Sequence, residues 1–366
     1  MITSISPIRR SAGWGNIFIR EYVNLKKKLF EPPFLPHKKG STYYNYFPED
    51  NGQTEQPESL LRSMKMYLLS HLKGKKAGQE VHAWIDSYSG KDCSDELVIT
   101  WLGHATMLIQ IANLNILTDP IIKSPSLLYK RILPFGCQLE NLPKIDIVLL
   151  SHNHRDHMDS PTLKALHTKD KPLFLVPEGN KKWFLSAGIE NVQEFSWWQT
   201  WQAGSVDFTF VPAWHWSQRG LFDHNKTLWG GWIIQSKQDT VYFAGDTAYN
   251  KYYFNTIKSC FPAIDVAILP IGPCDPDELM RRSHMSAQDA GNAFLDSGAT
   301  SFIPMHWGTF YFGTDLFHTP IERLTTWWNQ SQVLLEGKYL FACKVGQQFH
   351  LEHHKSSYSN RHDQNR

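Results

Sequence analysis

The sequence predicts a layered α/β fold, and two observations carry that expectation. Short apolar runs rich in β-branched residues recur along the chain, with helical segments between several of them, which is the texture of sheets covered by helices. No period of roughly 20 to 50 residues repeats, so a solenoid is not expected. With 366 residues, 42% of them hydrophobic and 20% charged, the chain can bury a large core. One catalytic domain with an appendage accounts for this length. The expected division is residues 93–352 as the catalytic domain, residues 1–92 as an extension packing on it, and residues 353–366 as a polar, disordered tail.

Taken in order, residues 1–40 are rich in Lys, Arg, Pro and aromatics without sustained periodicity. From Pro57 an apolar stripe through Leu60, Leu61, Met64, Tyr67 and Leu68 has helical spacing. Residues 97–110 and 115–118 read as strands, residues 145–150 (Ile-Asp-Ile-Val-Leu-Leu) as a short buried strand, and residues 161–167 as a helix. Residues 206–212 alternate and lead to Ala213-Trp214-His215; residues 240–244 lead to Gly245-Asp246-Thr247. A helix over residues 287–297 precedes a strand over 301–305 that leads to His306-Trp307-Gly308, and residues 344–351 form a last strand.

Residues 151–157 read Ser-His-Asn-His-Arg-Asp-His. On a helix His152 and His154 would diverge, but at a strand end alternate side chains share a face, and Asp156 and His157 then turn toward a second position. Open sheets place their chemistry at such ends. A solvated histidine-rich loop is the alternative; the spacing points to metal. Zinc accepts imidazole nitrogen and carboxylate oxygen, and a pair of ions needs about six protein ligands and a bridging group. Three more strand ends offer His215, Asp246 and His306.

The metal loop is accompanied by Thr100-Trp101-Leu102-Gly103-His104-Ala105-Thr106, Leu117-Thr118-Asp119-Pro120, Asn225-Lys226-Thr227-Leu228-Trp229-Gly230, Phe243-Ala244-Gly245-Asp246-Thr247, Leu269-Pro270-Ile271-Gly272 and His306-Trp307-Gly308-Thr309-Phe310. Over roughly residues 97–312 the sequence thereby resembles the metallo-β-lactamase superfamily and, within it, the branch containing N-acyl phosphatidylethanolamine phospholipase D. That resemblance implies an αββα sandwich of two mixed sheets under outer helices, with two zinc ions at one edge. It implies that His152, His154 and His215 hold one zinc, that Asp156, His157 and His306 hold the other, and that Asp246 bridges them. Asp119 matches the family's buried strand-end aspartate, read as a group that orients a ligand imidazole.

His284, in Arg281-Arg282-Ser283-His284-Met285-Ser286, matches a family histidine facing the reacting phosphate; read from its neighbours alone, it is a residue beside a helix cap at Ser286. His104 reads as a packed strand histidine, with a metal ligand as the alternative. The implied reaction is hydrolysis of N-acyl phosphatidylethanolamine, or a related lipid phosphodiester, to N-acylethanolamine and phosphatidic acid, with a phospholipid as substrate. Zinc lowers the pKa of water it holds to about 7, so no serine or cysteine nucleophile is needed, and His284 would stabilise charge or protonate the leaving oxygen. The metal loop by itself also suits a lactonase or a nucleic-acid phosphodiesterase, and a non-catalytic metal-binding protein of the membrane surface is the third class. A homodimer is suggested by the resemblance.

A net charge of +2 and short basic clusters (Lys26-Lys27-Lys28, residues 73–76, Lys130-Arg131) form no nucleic-acid-binding stripe. Five cysteines without close pairing do not make a disulfide framework and read as a reducing compartment. No apolar run reaches the ~18–20 residues that span a bilayer, and the N-terminus lacks a signal-peptide core, so the expected location is cytoplasmic or peripheral to a membrane. Residues 126–135 (Ser-Leu-Leu-Tyr-Lys-Arg-Ile-Leu-Pro-Phe) suit an interfacial patch presenting Lys130 and Arg131 to lipid; a helix packed on the sheet is the alternative. Core packing explains most of the fourteen tryptophans, and Trp214 and Trp216, flanking His215, suit a wall beside the metals.

Overall fold

The computed structural model describes residues 32–46, 79–88, 90, 96–127 and 129–351. The stripe from Leu60 to Leu68 and the tail over 353–366 lie outside these residues. A small hairpin comes first, β1 (His37–Lys39) and β2 (Thr42–Tyr44), in the region whose sequence shows no periodicity.

The first large sheet starts as an antiparallel meander of β3 (Val98–Gly103), β4 (Thr106–Ile111) and β5 (Leu114–Thr118). It continues in parallel through β6 (Ile147–Leu149), β7 (Leu173–Pro177) and β8 (Val192–Phe195). Helices α1 (Ser160–Asp170) and α2 (Lys181–Ser186) supply the crossovers that parallel strands require. The second sheet repeats the plan. Strands β9 (Thr200–Ala203), β10 (Val206–Val211), β11 (Gly231–Gln235) and β12 (Thr240–Phe243) pair antiparallel. Helix α3 (Lys251–Cys260), strand β13 (Val266–Pro270), helices α4 (Asp277–Met280) and α5 (Ala287–Ser297), strand β14 (Ser301–Met305), helix α6 (Thr319–Gln330) and strand β15 (Tyr339–Leu340) follow, with the strands parallel. Finally β16 (Gln348–His350) returns to pair antiparallel with β3, so the seven-stranded orders are β16-β3-β4-β5-β6-β7-β8 and β15-β14-β13-β12-β11-β10-β9.

Strand periodicity builds the layers. Along β4, Met107, Ile109 and Ile111 enter one core cluster with Phe208, Phe210 and Trp232 of the second sheet, while Leu108 enters another with Leu163 and Leu166 of α1. Ile147 and Leu149 face the first cluster and Val148 the second in the same way. Two buried faces explain why these strands read as continuous apolar runs rather than alternating ones. The αββα sandwich of two mixed sheets is the fold of this protein.

Two sequence expectations need correction here. Residues 126–135 neither form a helix among the described residues nor present both cations: Leu133 is buried, and the Arg131 guanidinium donates to the carbonyls of Leu133 (3.2 Å) and Ile121 and covers the Phe310 ring at 5.2 Å. A guanidinium that donates to carbonyls and covers an aromatic face is drawn partly out of solvent, and burial lowers its pKa to about 10. Trp214 packs toward Tyr253 (ring centroids 5.9 Å apart), and its backbone N–H donates to Thr247 Oγ1 at 2.9 Å.

Candidate metal centre

Four connections at one edge of the sandwich bring together every ligand candidate. Residues 152–157 follow β6, His215 follows β10, Asp246 follows β12 and His306 follows β14. His152, His154 and His215 form one group: His152 Nε2 lies 2.8 Å and His215 Nε2 lies 3.3 Å from His154 Nδ1. A tetrahedral ion with bonds of about 2.0–2.1 Å to nitrogen separates its ligand atoms by about 3.4 Å, so three such nitrogens suit one ion. A second group contains Asp156, His157 and His306, with His157 Nε2 at 3.3 Å from both His306 Nε2 and Asp156 Oδ2. Asp246 Oδ2 lies between the groups, 3.0 Å from His306 Nε2 and 3.2 Å from His157 Nε2 on one side, 3.8 Å from His215 Nε2 and 4.0 Å from His152 Nε2 on the other.

Hydrogen bonds outside the groups decide which nitrogens face inward. His157 Nδ1 donates to Asp119 Oδ2 (2.7 Å), His215 Nδ1 to the Ser283 carbonyl (2.8 Å) and His306 Nδ1 to the Gly272 carbonyl (2.9 Å). His152 Nδ1 donates to Ser151 Oγ (2.8 Å), and that hydroxyl donates to Asp119 Oδ2 (2.5 Å). Each bond fixes a tautomer that turns an Nε2 lone pair to the centre. Asp119 thus orients His157 directly and His152 through Ser151, and it also accepts from the Ser151 backbone N–H at 2.7 Å. Asp119→Ala strands three buried donors, and metal affinity is expected to fall roughly 10–100-fold, measured by competition with a chromogenic chelator.

Electrostatics fit the same reading. Burial lowers the pKa of His154 to about 4 and that of His215 to about 3, Asp246 opposing in both cases, and holds His152 well below its ordinary value. Neutral imidazoles are what a metal requires. Burial acts the same way on His157 and His306, but Asp246 and Asp156 overcome it, raising His157 well above its ordinary value and His306 to about 9. The carboxylates therefore demand positive charge at this point, which a dication would supply. Asp246 Oδ1 is a buried carboxylate oxygen without a hydrogen-bond partner, a further sign of a centre built for ions.

Backbone conformation shows the same specialisation. His104, Asp119 and His306 all have positive φ (56°, 34° and 60°), a strain of order 1–3 kcal/mol each for residues with a side chain. Gly245 also has positive φ (62°), and a β-carbon there would meet Ser151 Cβ at 2.5 Å, so only glycine lets Asp246 reach the centre.

His104 corrects the sequence reading. It occupies the turn between β3 and β4 rather than a strand, 1% exposed, with Nε2 at 3.0 Å from Asp156 Oδ2 and its ring 4.2 Å from that of His306. Burial lowers its pKa to about 3, so a neutral ring donates to Asp156. The signal was present in Gly103-His104, a polar pair closing an apolar hairpin. His284, just before α5, sits on the open side with its side chain 18% exposed and Nδ1 at 3.8 Å from Asp246 Oδ2. That Nδ1 has no hydrogen-bond partner. Trp216 lies edge-on to His154 at 4.2 Å, and Phe310 and Phe312 face His104 at 5.0 and 5.7 Å, so aromatic walls flank the centre.

Comparison with known proteins gives this geometry a family. Residues 114–307, about half of the chain, match the family model of the beta-lactamase superfamily domain. The mitochondrial N-acyl-phosphatidylethanolamine-hydrolyzing phospholipase D of Saccharomyces cerevisiae is 37% identical over 235 residues, 62% of this chain and 50% of that protein. This chain therefore spans about half the length of that relative. N-acyl-phosphatidylethanolamine-hydrolyzing phospholipase D 1 of Caenorhabditis elegans is 32% identical over 244 residues, 62% of this chain and 68% of that protein. Among solved structures, a metallo hydrolase of the archaeon Ignicoccus hospitalis superposes with a TM-score of 0.55 at 20% identity, covering 70% of this chain and 99% of that one, which shows the shared fold. The chain belongs to the metallo-β-lactamase superfamily, in the branch of the N-acyl-phosphatidylethanolamine-hydrolyzing phospholipases D.

Proposed function

We propose that this protein is a dinuclear zinc hydrolase of phospholipase D type, acting on N-acyl phosphatidylethanolamine or a related lipid phosphodiester. The observation that carries the reading is Asp246 Oδ2 set between two groups of imidazoles, a bridging position with three nitrogens on one side and two nitrogens plus Asp156 on the other. Imidazole and carboxylate donors without a thiolate suit zinc. When bound, two cations supply Lewis acidity toward the phosphoryl group and acidify water at neutral pH. The chain supplies the rest. His104 and Asp119 hold Asp156 and His157 in register, and His284 offers Nδ1 toward the phosphoryl oxygens. Burial lowers the His284 pKa to about 3 against the opposing charge of Asp246, so the ring acts as a neutral hydrogen-bond donor rather than an acid.

A membrane substrate is supported by what surrounds the centre. Leu221 and Phe222, 83% and 92% exposed, tip the loop that runs between Trp216 and His224. Leu127, 93% exposed, lies two residues before Tyr129, which packs on Phe312 at 4.9 Å. Apolar tips thus project from segments on both sides of the centre, and this replaces Arg131 as the basis for peripheral contact with lipid. No helix among the described residues is long and apolar enough to cross a membrane. Burial of each such side chain contributes about 1.5–3 kcal/mol, so Leu221→Asp with Phe222→Asp is expected to weaken vesicle sedimentation more than tenfold. Cleavage of a soluble aryl phosphodiester should stay unchanged in the same preparation.

The reaction is tested by product analysis. Zinc-loaded protein incubated with N-acyl phosphatidylethanolamine, phosphatidylethanolamine, phosphatidylcholine and a sugar-acid lactone is expected to release phosphatidic acid and N-acylethanolamine. Opening of the lactone with no lipid cleavage would overturn the proposal.

A further inference from the structure

His215 is held by a residue far outside the matched family region. It lies on an irregular connection between β10 and β11, where its backbone pairs with no strand among the described residues. Asn45, 6% exposed and next after β2, takes that place. Its carboxamide pairs with the His215 backbone in both directions: Nδ2 donates to the His215 carbonyl at 3.0 Å, and the His215 N–H donates to Oδ1 at 3.2 Å. The Trp229 indole N–H also donates to Oδ1, at 3.1 Å. Two donors converging on one end and a carbonyl facing the other leave a single orientation of the amide that satisfies all three.

The segment carrying Asn45 is itself anchored on both sides. Tyr46 exchanges hydrogen bonds with the Tyr253 hydroxyl (2.7 and 3.0 Å), Phe34 stacks on Tyr46 at 4.4 Å, and the Tyr43 N–H donates to the Asn225 carbonyl at 2.8 Å. With Ser283 fixing the His215 ring and Asn45 fixing its backbone, the Nε2 position is set from two elements distant in sequence.

We propose that Asn45 is a positioning residue for the first metal position, so that the N-terminal hairpin completes the half of the centre formed by His152, His154 and His215. The proposal rests on the metal reading above. Its selectivity follows from geometry: Asn45 contacts only His215 among the ligands, whereas the second group is held by Asp119, His104 and Gly272.

Asn45→Asp tests it without changing side-chain volume. A carboxylate still accepts from His215 N–H and Trp229, but it sets an acceptor against the His215 carbonyl. Metal-free protein titrated with Co²⁺ or Zn²⁺ against a chelator should show one position weakened by roughly 10–100-fold and the other at wild-type affinity, with an altered Co²⁺ visible spectrum. Trp229→Phe leaves the Asn45 amide paired with His215 and removes one donor to it, along with that indole's bond to the Ala213 carbonyl (3.0 Å); it should shift the same position less, which covers the case of an Asp variant that does not fold. Lys226→Met removes the hairpin contacts to Ser41 and Thr42, at 2.9 and 2.7 Å, and leaves Asn45 in place; two wild-type affinities are expected. Wild-type affinities and spectrum in Asn45→Asp, or equal losses at both positions matching those of Lys226→Met, would overturn the proposal while leaving the metal reading intact. Wild-type protein that binds no metal overturns both.

Discussion

Asp246→Asn is expected to release both metals together. Wild-type protein should carry close to two equivalents by elemental analysis, and the variant should lose both in the same chelator range. The reason is geometric: one carboxylate oxygen lies within 3.0–3.2 Å of two imidazole nitrogens in the second group and within 3.8–4.0 Å of two in the first. Every other ligand candidate belongs to one group. Burial pushes the Asp246 carboxyl upward, but the charges and hydrogen bonds of His157 and His306 hold it well below the usual range, so it is an anion when metal arrives. An amide keeps the volume and removes the charge, which separates loss of the bridge from the opening of a cavity. Hydrolysis should fall to background. A variant that keeps one metal at wild-type affinity would show that Asp246 serves a single ion and would end the bridging role, while a wild type with one equivalent would end the dinuclear reading.

His284→Ala is expected to act on turnover and leave the metals alone. His284 Nδ1 is a buried nitrogen 3.8 Å from Asp246 Oδ2 without a hydrogen-bond partner, on a side chain that is 18% exposed. Loss of a hydrogen-bond donor aimed at developing charge costs roughly 10²–10³-fold in kcat, while metal content should remain near two equivalents. His284→Gln keeps a donor at similar reach and should recover part of the loss. The competing role is coordination, because His284, Asp246 and His306 offer ligand atoms within 4.8 Å of one another. Loss of one metal equivalent in His284→Ala would establish that role instead.

These experiments address a centre whose ligand candidates were legible in the chain because they cluster at strand ends. His152, His154, Asp156 and His157 sit within six positions, and His215, Asp246 and His306 each follow a short apolar run. Strand existence was readable for the same reason: β14 and α5 fall on the residues expected from sequence, and β3, β4, β5, β6, β10 and β12 within a few residues of them. Strands β7 (Leu-Phe-Leu-Val-Pro) and β13 (Val-Ala-Ile-Leu-Pro) are apolar runs of the same kind. The hairpin over β1 and β2 leaves no period in the sequence, since its strands are three residues long and are stabilised by contacts with residues some 180 positions away.

What the sequence by itself determined is the inventory of ligand candidates, the strand-end placement and the layered α/β class, because each depends on neighbours in the chain: alternation, branching and spacing. Tertiary structure alone decided the rest. It placed Asp246 between the groups, drew His104 from a turn onto Asp156, turned Arg131 inward onto carbonyls and Phe310, and set Asn45 against the backbone of His215. Apart from the Arg131–Leu133 bond, each of these is a hydrogen bond or packing contact between segments distant in the chain. Such contacts follow from where strands end in space, and no local pattern encodes that.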